Sequence, residues 1–337
     1  MTQWINKQDL PLPLVSAITG DRYHAKRQEQ LARYVEQQGL DPKKVVHFSV
    51  SDLIAPPRRR VLTQRYQDKI IKDVSSDIYR ILGQAVHSFL AEHSAGEYTA
   101  EERLFFHLPW ADHTVVISGE PDLVTPSGEI HDYKVVAVYS WQKAQEEGVK
   151  SEYETQLNLY AYLREKNGKH TTGLKNHFIL RDFKLQETVQ EGYPKAGIQV
   201  FNIPMWPAQW VEDFVQERIR LHVQAQGLFD DELPECTPYE MWEKPEAWAV
   251  QREGAARAAK LVRTAGQEGN DEAHKIAEDK NTRLKKGEKP YIVEHRPGER
   301  THCEAYCMAA SFCSQFGEYK AAKFRSNGKQ QQEEPVV

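Results

Sequence analysis

Ile78, Ile81, Leu82, Ala85, Val86, Phe89 and Leu90 recur at the spacing of one helix face, which predicts an amphipathic helix between about Ser75 and Glu92. His87 sits at the edge of that stripe. The pattern then changes period. The runs "RLFFHL", "HTVVIS", "EPDLV" and "EIHDYKVVAV" are alternating or β-rich and separated by Pro, Ser and Gly, so they read as strands joined by turns. Helical spacing returns in "YETQLNLYAYLREKNG", which stops at Gly168. Two further strands are expected at "NHFILRDF" and "GIQVFNIP", followed by a long helix in "PAQWVEDFVQERIRLHVQAQ". The first seventy residues read as mostly helical, with "EQLARYVEQQG" closing on Gly39 and "FSVSDLIAPPRRRVL" offering a Ser or Asp N-cap before a turn broken by prolines. This order of elements implies an α/β fold, a central mixed sheet with helices on its faces.

After about residue 230 the texture differs. "LPECTPYEMWEKPEAWAVQREG" is rich in Pro, Glu and Trp, and an alanine, lysine and glutamate helix pair is expected next, broken by glycine near 266–270. A strand in "PYIVEHRPGERTHC" then runs into "CEAYCMAASFC". The expected organisation is a core over 1–230 with a helical N-terminal part, a smaller cysteine-bearing extension over 231–325, and a disordered tail over 326–337.

At 337 residues, 40% hydrophobic and 28% charged, the chain is long enough for one sizeable core plus an appendage. No apolar run reaches bilayer length and the start carries no continuous apolar signal core, so a cytoplasmic protein is expected and a membrane partner is not. The formal net charge of −5 does not exclude nucleic acid, because binding follows local patches. Two such patches stand out: "PPRRR", with Arg58, Arg59 and Arg60, and "RLKKGEK", with Lys285 and Lys286. Each is a candidate lining for a strand-binding groove, and each also fits an ordinary solvated surface.

The stretch "GEPDLVTPSGEIHDYKVV" carries the sharpest chemistry. A turn at "TPSG" pairs the strands holding Asp122 and Asp132 as a hairpin, and Asp132 and Lys134, two apart, point to one face. Two carboxylates beside apolar strands repel and are costly to bury, and a divalent cation satisfies both. Oxygen ligands favour Mg2+ or Mn2+. A metal held there, with a lysine beside it, suits phosphodiester hydrolysis. The plainer alternative is a solvated Asp–Lys pair on a strand with Asp122 closing a turn.

Taken in order, "GQAVH" at 83–87, "GEPD" at 119–122, "DYK" at 132–134 and "QLNLY" at 156–160 resemble the RecB-like branch of the PD-(D/E)xK nuclease superfamily, over roughly residues 48–225. The resemblance implies a restriction-endonuclease-like fold and metal-dependent DNA hydrolysis, mostly from ends, leaving 5'-phosphate and 3'-hydroxyl products. By it, His87, Asp122 and Asp132 are metal ligands together with the carbonyl of Tyr133, Lys134 is the catalytic lysine, and Gln156 and Tyr160 position the lysine or a DNA phosphate. Glu102 is a further acidic candidate. DNA, single-stranded or end-bearing duplex, is the implied partner. Similar stand-alone chains suggest a phage or bacterial exonuclease of recombination or replication, with a protein of that machinery as a further possible partner.

Cys236, Cys303, Cys307 and Cys313 are the four thiols of the chain. An intracellular chain has little use for structural disulfides, so a four-thiolate Zn2+ site or an iron-sulfur cluster is the expected use, with free buried thiols as the plain alternative. Several RecB-like nucleases, the CRISPR adaptation nuclease among them, carry a 4Fe-4S cluster on one cysteine before the nuclease motifs and three after. This sequence departs from that pattern: Ala55 and Pro56 stand where such relatives have cysteine, the fourth thiol is Cys236, and the first gap of the cluster is three residues rather than two. His302 is an alternative ligand. No nucleophile elbow, phosphate-cradling loop, dinucleotide fingerprint or zinc-protease motif occurs. Two rivals to the nuclease stay open, a catalytically silent nucleic-acid-binding platform and a recombination-complex subunit organised by its cysteine site.

Overall fold

The computed structural model describes residues 2–19, 21–94, 96–255 and 257–330 as a mixed α/β protein of several sheets and helices. The chain divides into two units, one of residues 1–55 and 67–227, the other of residues 56–66 and 228–337. The expected core of 1–230 is therefore interrupted. Its segment 56–66 belongs with the cysteine-bearing part, because its first helical turn is buried there.

The first unit holds two larger sheets beside a short parallel pair of Gln3–Ile5 with Ile71–Asp73. Strands β1 (Val45–Ser49), β3 (Leu104–Trp110) and β4 (His113–Gly119) form the smaller one in the order β1-β4-β3, with β1 parallel and β3 antiparallel to β4. Strands β2 (Thr99–Ala100), β5 (Leu123–Val124), β6 (Glu129–Val136), β7 (Gly173–Leu180) and β8 (Ile198–Ile203) form the larger, in the order β8-β7-β6-β5-β2. Only the β6–β7 pair is parallel, since the chain crosses over through two helices between them. A strand at Val45–Ser49 falls in the region expected to be helical. Its Val45, Val46 and Phe48 pair with the buried run of β4, and that pairing overrides the helical surroundings.

The helices of this unit differ in how they are used. Helix α1 (Asp21–Gln37) ends before Gly39, which takes the left-handed conformation expected of a helix stop. Helix α2 (Val50–Ile54) is opened by Ser49 in a reciprocal capping box with Asp52. After α3 (Pro57–Arg65), which lies in the second unit, comes α4 (Ile78–Glu92), the predicted amphipathic helix. None of its residues is buried, and Ile78, Leu82 and Phe89 of its stripe are exposed. Helix α5 (Val138–Glu147) precedes α6 (Ser151–Lys166), in which every residue from Leu157 to Arg164 is buried. A helix apolar on all sides is a core helix, which is why "QLNLYAYL" has no clean stripe. Leu157, Leu159 and Leu163 pack with Phe48, Ile117 and Ile130 of the strands and Ile219 of α7 (Ala208–Gln226).

In the second unit β9 (Ala247–Arg252), β10 (Lys260–Val262) and β11 (Tyr291–Arg296) make an antiparallel sheet in the order β10-β9-β11. Helix α8 (Gly266–Thr282) lies on it, with Val250, Val262, Ala273 and Ala277 forming the core. The expected helix pair is thus a hairpin followed by one helix. Antiparallel pairing of β10 with β9, whose Ala249 and Val250 are fully buried, wins over the alanine and lysine content, with Gly254 (φ +76°) in the connection. The last helix, α9 (Ser314–Gln330), runs as far as Gln330 into the segment expected to be a disordered tail, while residues 331–337 lie outside the described residues. Among the described residues no helix is long and apolar enough to cross a membrane.

Candidate active site

Strand β6 sets the geometry. Ile130, Asp132 and Val136 are buried on the face it shares with Lys134, so two ionisable groups sit inside an apolar face. The hairpin predicted from "TPSG" is present: Leu123 pairs with His131, Val124 with Ile130, and Gly128 takes φ +91° in the turn. One step further along that register Asp122 stands opposite Asp132. Its Oδ2 accepts from the backbone N of Tyr133 at 2.8 Å, and its Oδ1 lies 3.1 Å from Nδ1 of His87 on α4.

On the other side of Asp132, Lys134 Nζ lies 2.7 Å from Asp132 Oδ2 and donates to Oε1 of Gln156 at 2.9 Å. Gln156 in turn donates from Nε2 to the hydroxyl of Tyr160 at 2.9 Å, its i+4 neighbour on α6. All six residues named from the motifs therefore come together in two linked sets, His87–Asp122 and Asp132–Lys134–Gln156–Tyr160. Gly119 explains the glycine of "GEPD". A Cβ there would fall 2.7 Å from Leu163 Cδ1 and 2.9 Å from two ring carbons of Tyr160, so the close approach of α6 to β4 requires its absence.

Burial pushes the Asp132 carboxyl up, Asp122 adds to this, and the Lys134 ammonium only partly offsets it, leaving the group at about 6. Lys134 loses by burial but gains more from Asp132 and Asp122, and is raised. His87 is raised by its hydrogen bond to Asp122 against the opposing effect of burial. Two carboxylates, an imidazole and a carbonyl are a donor set suited to Mg2+ or Mn2+, and the raised Asp132 carboxyl reflects first its burial and then the neighbouring Asp122. Among the described residues no three such side chains are already gathered at metal-ligand separations; the pairs with His87 and Lys134 occupy the carboxylate oxygens.

Two contributors were not visible in the motifs. Tyr153 places its ring 4.9 Å from Lys134 Nζ, forming the apolar wall against which the ammonium rests. Glu101, and not Glu102, is the acidic neighbour of the site. Glu102 pairs with Lys169, whereas Glu101 is held at φ +48° with its N–H donating to the carbonyl of Asp122 at 3.3 Å. Position 101 follows the two-residue strand β2, whose pairing with β5 brings it there, and no local signal distinguishes it from its neighbour.

In the second unit the four cysteines form no disulfide and are all half-buried. Burial pushes the Cys236 thiol up to about 12, with Glu240 and the other three thiols adding to it, and burial with Cys307 and Cys313 pushes Cys303 to about 11. The four are thus within electrostatic reach of one another, without being gathered at metal-binding separations. Thiols are the donor type that Zn2+ and iron-sulfur sites use, but among the described residues no three of them are close enough together to hold a metal. His302, the alternative ligand, is buried and has its Nε2 2.8 Å from Nη1 of Arg59. Of the arginines expected to line a groove, Arg58 is only 3% exposed, which removes it from any strand contact. Lys285 and Lys286 are exposed beyond α8.

No family model matches the chain, and no curated protein matches it. Among solved structures, one titled "Crystal structure of SSO0001" is similar at a TM-score of 0.38 and 15% identity, covering 58% of this chain and 86% of that one.

Proposed function

We propose that the first unit is a metal-dependent DNA nuclease of restriction-endonuclease-like fold, hydrolysing phosphodiesters from DNA ends. The observation that carries this reading is the buried Asp132–Lys134–Gln156–Tyr160 chain facing the His87–Asp122 pair. A carboxyl and an ammonium set side by side in a core face and tied down by a glutamine are the kind of arrangement by which sites tune ionisable groups for chemistry. His87, Asp122, Asp132 and the Tyr133 carbonyl would hold Mg2+ or Mn2+, which when bound supplies Lewis-acid stabilisation of the phosphoryl oxygens and a more acidic water.

The protein's own residues do the rest. Gln156, fixed by Tyr160, aims the Lys134 ammonium, and Tyr153 limits where it can swing. An ammonium so fixed orients the attacking water and faces the charge that develops on the phosphate oxygens, without reorganising during the reaction. In-line attack by that water leaves a 5'-phosphate and a 3'-hydroxyl. In the second unit the four thiolates would hold a 4Fe-4S cluster or Zn2+ as a staple, since a closed four-thiolate site offers no open position for chemistry.

The test is digestion of end-labelled linear single-stranded and duplex DNA with Mg2+, Mn2+ or EDTA, comparing the wild type with Asp132→Asn. Metal-dependent loss of label that the substitution abolishes supports the reading. DNA binding without cleavage by folded, metal-supplied wild type would favour the binding platform instead.

A further inference from the structure

Between the C-terminal half of α8 and the start of β11 the second unit has a cleft of about 470 Å³, the size of a small-ligand site. Its floor belongs to the core, because Ile276 and Tyr291 pack against Val250, Val262, Ala273 and Ala277. Tyr291 is pinned further by a reciprocal pair with Asn281, donating its N–H to Oδ1 at 2.6 Å and accepting at its carbonyl from Nδ2 at 2.9 Å. The fold itself therefore shapes this cleft.

Its walls are cationic. Arg252, Lys275, Lys280 and Arg283 line it against two carboxylates, Asp279 and Glu288. Both carboxylates are in use: Asp279 pairs with Arg283 at 2.8 Å, and Glu288 lies 3.4 Å from Arg252 and accepts from the backbone N of Lys285 at 3.1 Å. Lys275 and Lys280 make no ion pair among the described residues. Lys280 Nζ and the guanidinium carbon of Arg252 each lie 5.3 Å from the centre of the Tyr291 ring, so two like charges converge on one aromatic group. None of the other acids of α8 lines the cleft; Asp271 accepts from Gln267 and Glu272 from Thr264. Four cations against two carboxylates leave a local excess of positive charge, which an anion from outside would balance.

The kind of anion follows from how the charge is laid out. It continues past the cleft at Lys285 and Lys286, both exposed, as a chain of phosphates would require. The Arg283–Asp279 pair joins side chains 76% and 56% exposed, so it is weak enough for Arg283 to turn to a phosphate. A cleft of this volume admits the backbone of one strand and not a duplex, and an aromatic floor between cations suits a single strand. We infer that this cleft binds a single nucleic-acid strand, with Lys275 and Lys280 as phosphate contacts and Tyr291 as the floor. The inference concerns the second unit alone and does not require the strand to be cut, so it stands apart from the nuclease reading. It moves the strand contact expected of "RLKKGEK" into the cleft that this segment borders.

The experiment is fluorescence anisotropy of a fluorescein-labelled oligothymidylate with the full chain, over a series of salt concentrations and in EDTA, so that metal-dependent cleavage cannot consume the probe. The proteins are the wild type, Lys275→Gln, Lys280→Gln, the double variant, and Lys43→Gln in the first unit as a control for loss of any exposed lysine. Far-UV circular dichroism checks folding. The expected result is binding by the wild type, with the slope of log affinity against log salt shallower by about 0.7 in each cleft variant and about 1.4 in the double, and unchanged in Lys43→Gln. No binding by the wild type, an unchanged slope in the double variant, or an equal change in Lys43→Gln overturns the inference. Displacement of the oligonucleotide by inorganic pyrophosphate at concentrations near that of the protein overturns the strand in favour of a free phosphate compound. If a cleft variant does not fold, photocrosslinking of the wild type to a 4-thiothymidine oligonucleotide decides: crosslinks within 275–291 support the inference, and crosslinks only elsewhere overturn it.

Discussion

Gly119→Ala is the smallest change that reaches the site through packing alone. The added methyl would meet Leu163 Cδ1 at 2.7 Å and Tyr160 Cδ1 and Cε1 at 2.9 Å, all well inside contact distance. Leu163 is fully buried, so neither side has room to yield and α6 must shift against β4. Overpacking of this kind costs about 1–3 kcal/mol. In a unit of this size that is a fall of roughly 3–10 °C in Tm. The functional loss should exceed the loss of stability, because the same contact moves Tyr160, and with it Gln156 and Lys134. A misplacement of a positioned group by an ångström can cost ~100-fold in rate, so a loss of about 10–100-fold is expected at temperatures where the variant is folded. Thermal unfolding and nuclease rate would be measured for Gly119→Ala, Leu163→Ala and the double variant. Leu163→Ala alone should cost about 2–5 kcal/mol by opening a cavity. In the double variant the new methyl fills part of that space, so the two effects should fall short of their sum by ~0.5–3 kcal/mol. Strict additivity, or a Gly119→Ala protein as stable and active as the wild type, would refute the reasoning.

Other expectations follow from the same geometry. Without metal, Asp132 keeps its proton to about pH 6, above the ordinary carboxylate range, so its protonation stabilises the fold fully below that range and the contribution is lost as pH rises through about 6. Metal needs the opposite state, so Mn2+ affinity, followed by electron paramagnetic resonance, should climb as pH rises through that region, and Lys134→Met should move the climb to higher pH by removing the countercharge. An unmoved midpoint would contradict the coupling. Tyr153→Leu should lower the cleavage rate several-fold, consistent with a cation–π contact of about 0.5–2 kcal/mol, while Tyr153→Phe stays near wild type; equal losses in both would point to the hydroxyl instead. Arg103 and Glu120 pair with side chains only 4% and 9% exposed, so Arg103→Met, which removes the guanidinium from a buried carboxylate, should cost about 3–5 kcal/mol in denaturant unfolding. A change under about 1 kcal/mol would show that water reaches the pair.

Much of this site was legible in the sequence because its determinants are local. The hairpin of Asp122 and Asp132 is set by a turn and a period of two, and Gln156 and Tyr160 are one helical turn apart, so spacing alone brings them together. What spacing cannot carry is the choice between neighbours. Glu101 and Glu102 differ only in which one the β2–β5 pairing turns toward Asp122. Tyr153 matters because of where Lys134 ends up, a tertiary fact. The arginine run misled for a related reason: charge density reads as surface, while Arg58 is buried by partners about 175 residues away in sequence, as its bonds to Leu233 and Pro234 show. The strand Val45–Ser49 and the hairpin after Ala247 were obscured in the same way, since each is selected by the strand it pairs with.

The central claim is that Lys134, fixed by Asp132 and Gln156, serves phosphodiester hydrolysis. Its most direct test is the single-turnover cleavage rate of linear DNA at saturating Mg2+ or Mn2+ for the wild type and Lys134→Met, with DNA affinity measured alongside. The account predicts cleavage by the wild type and, in the variant, retained DNA binding with a rate lower by about 100–1,000-fold, as for removal of one preorganised donor. Equal rates in the two proteins would contradict it.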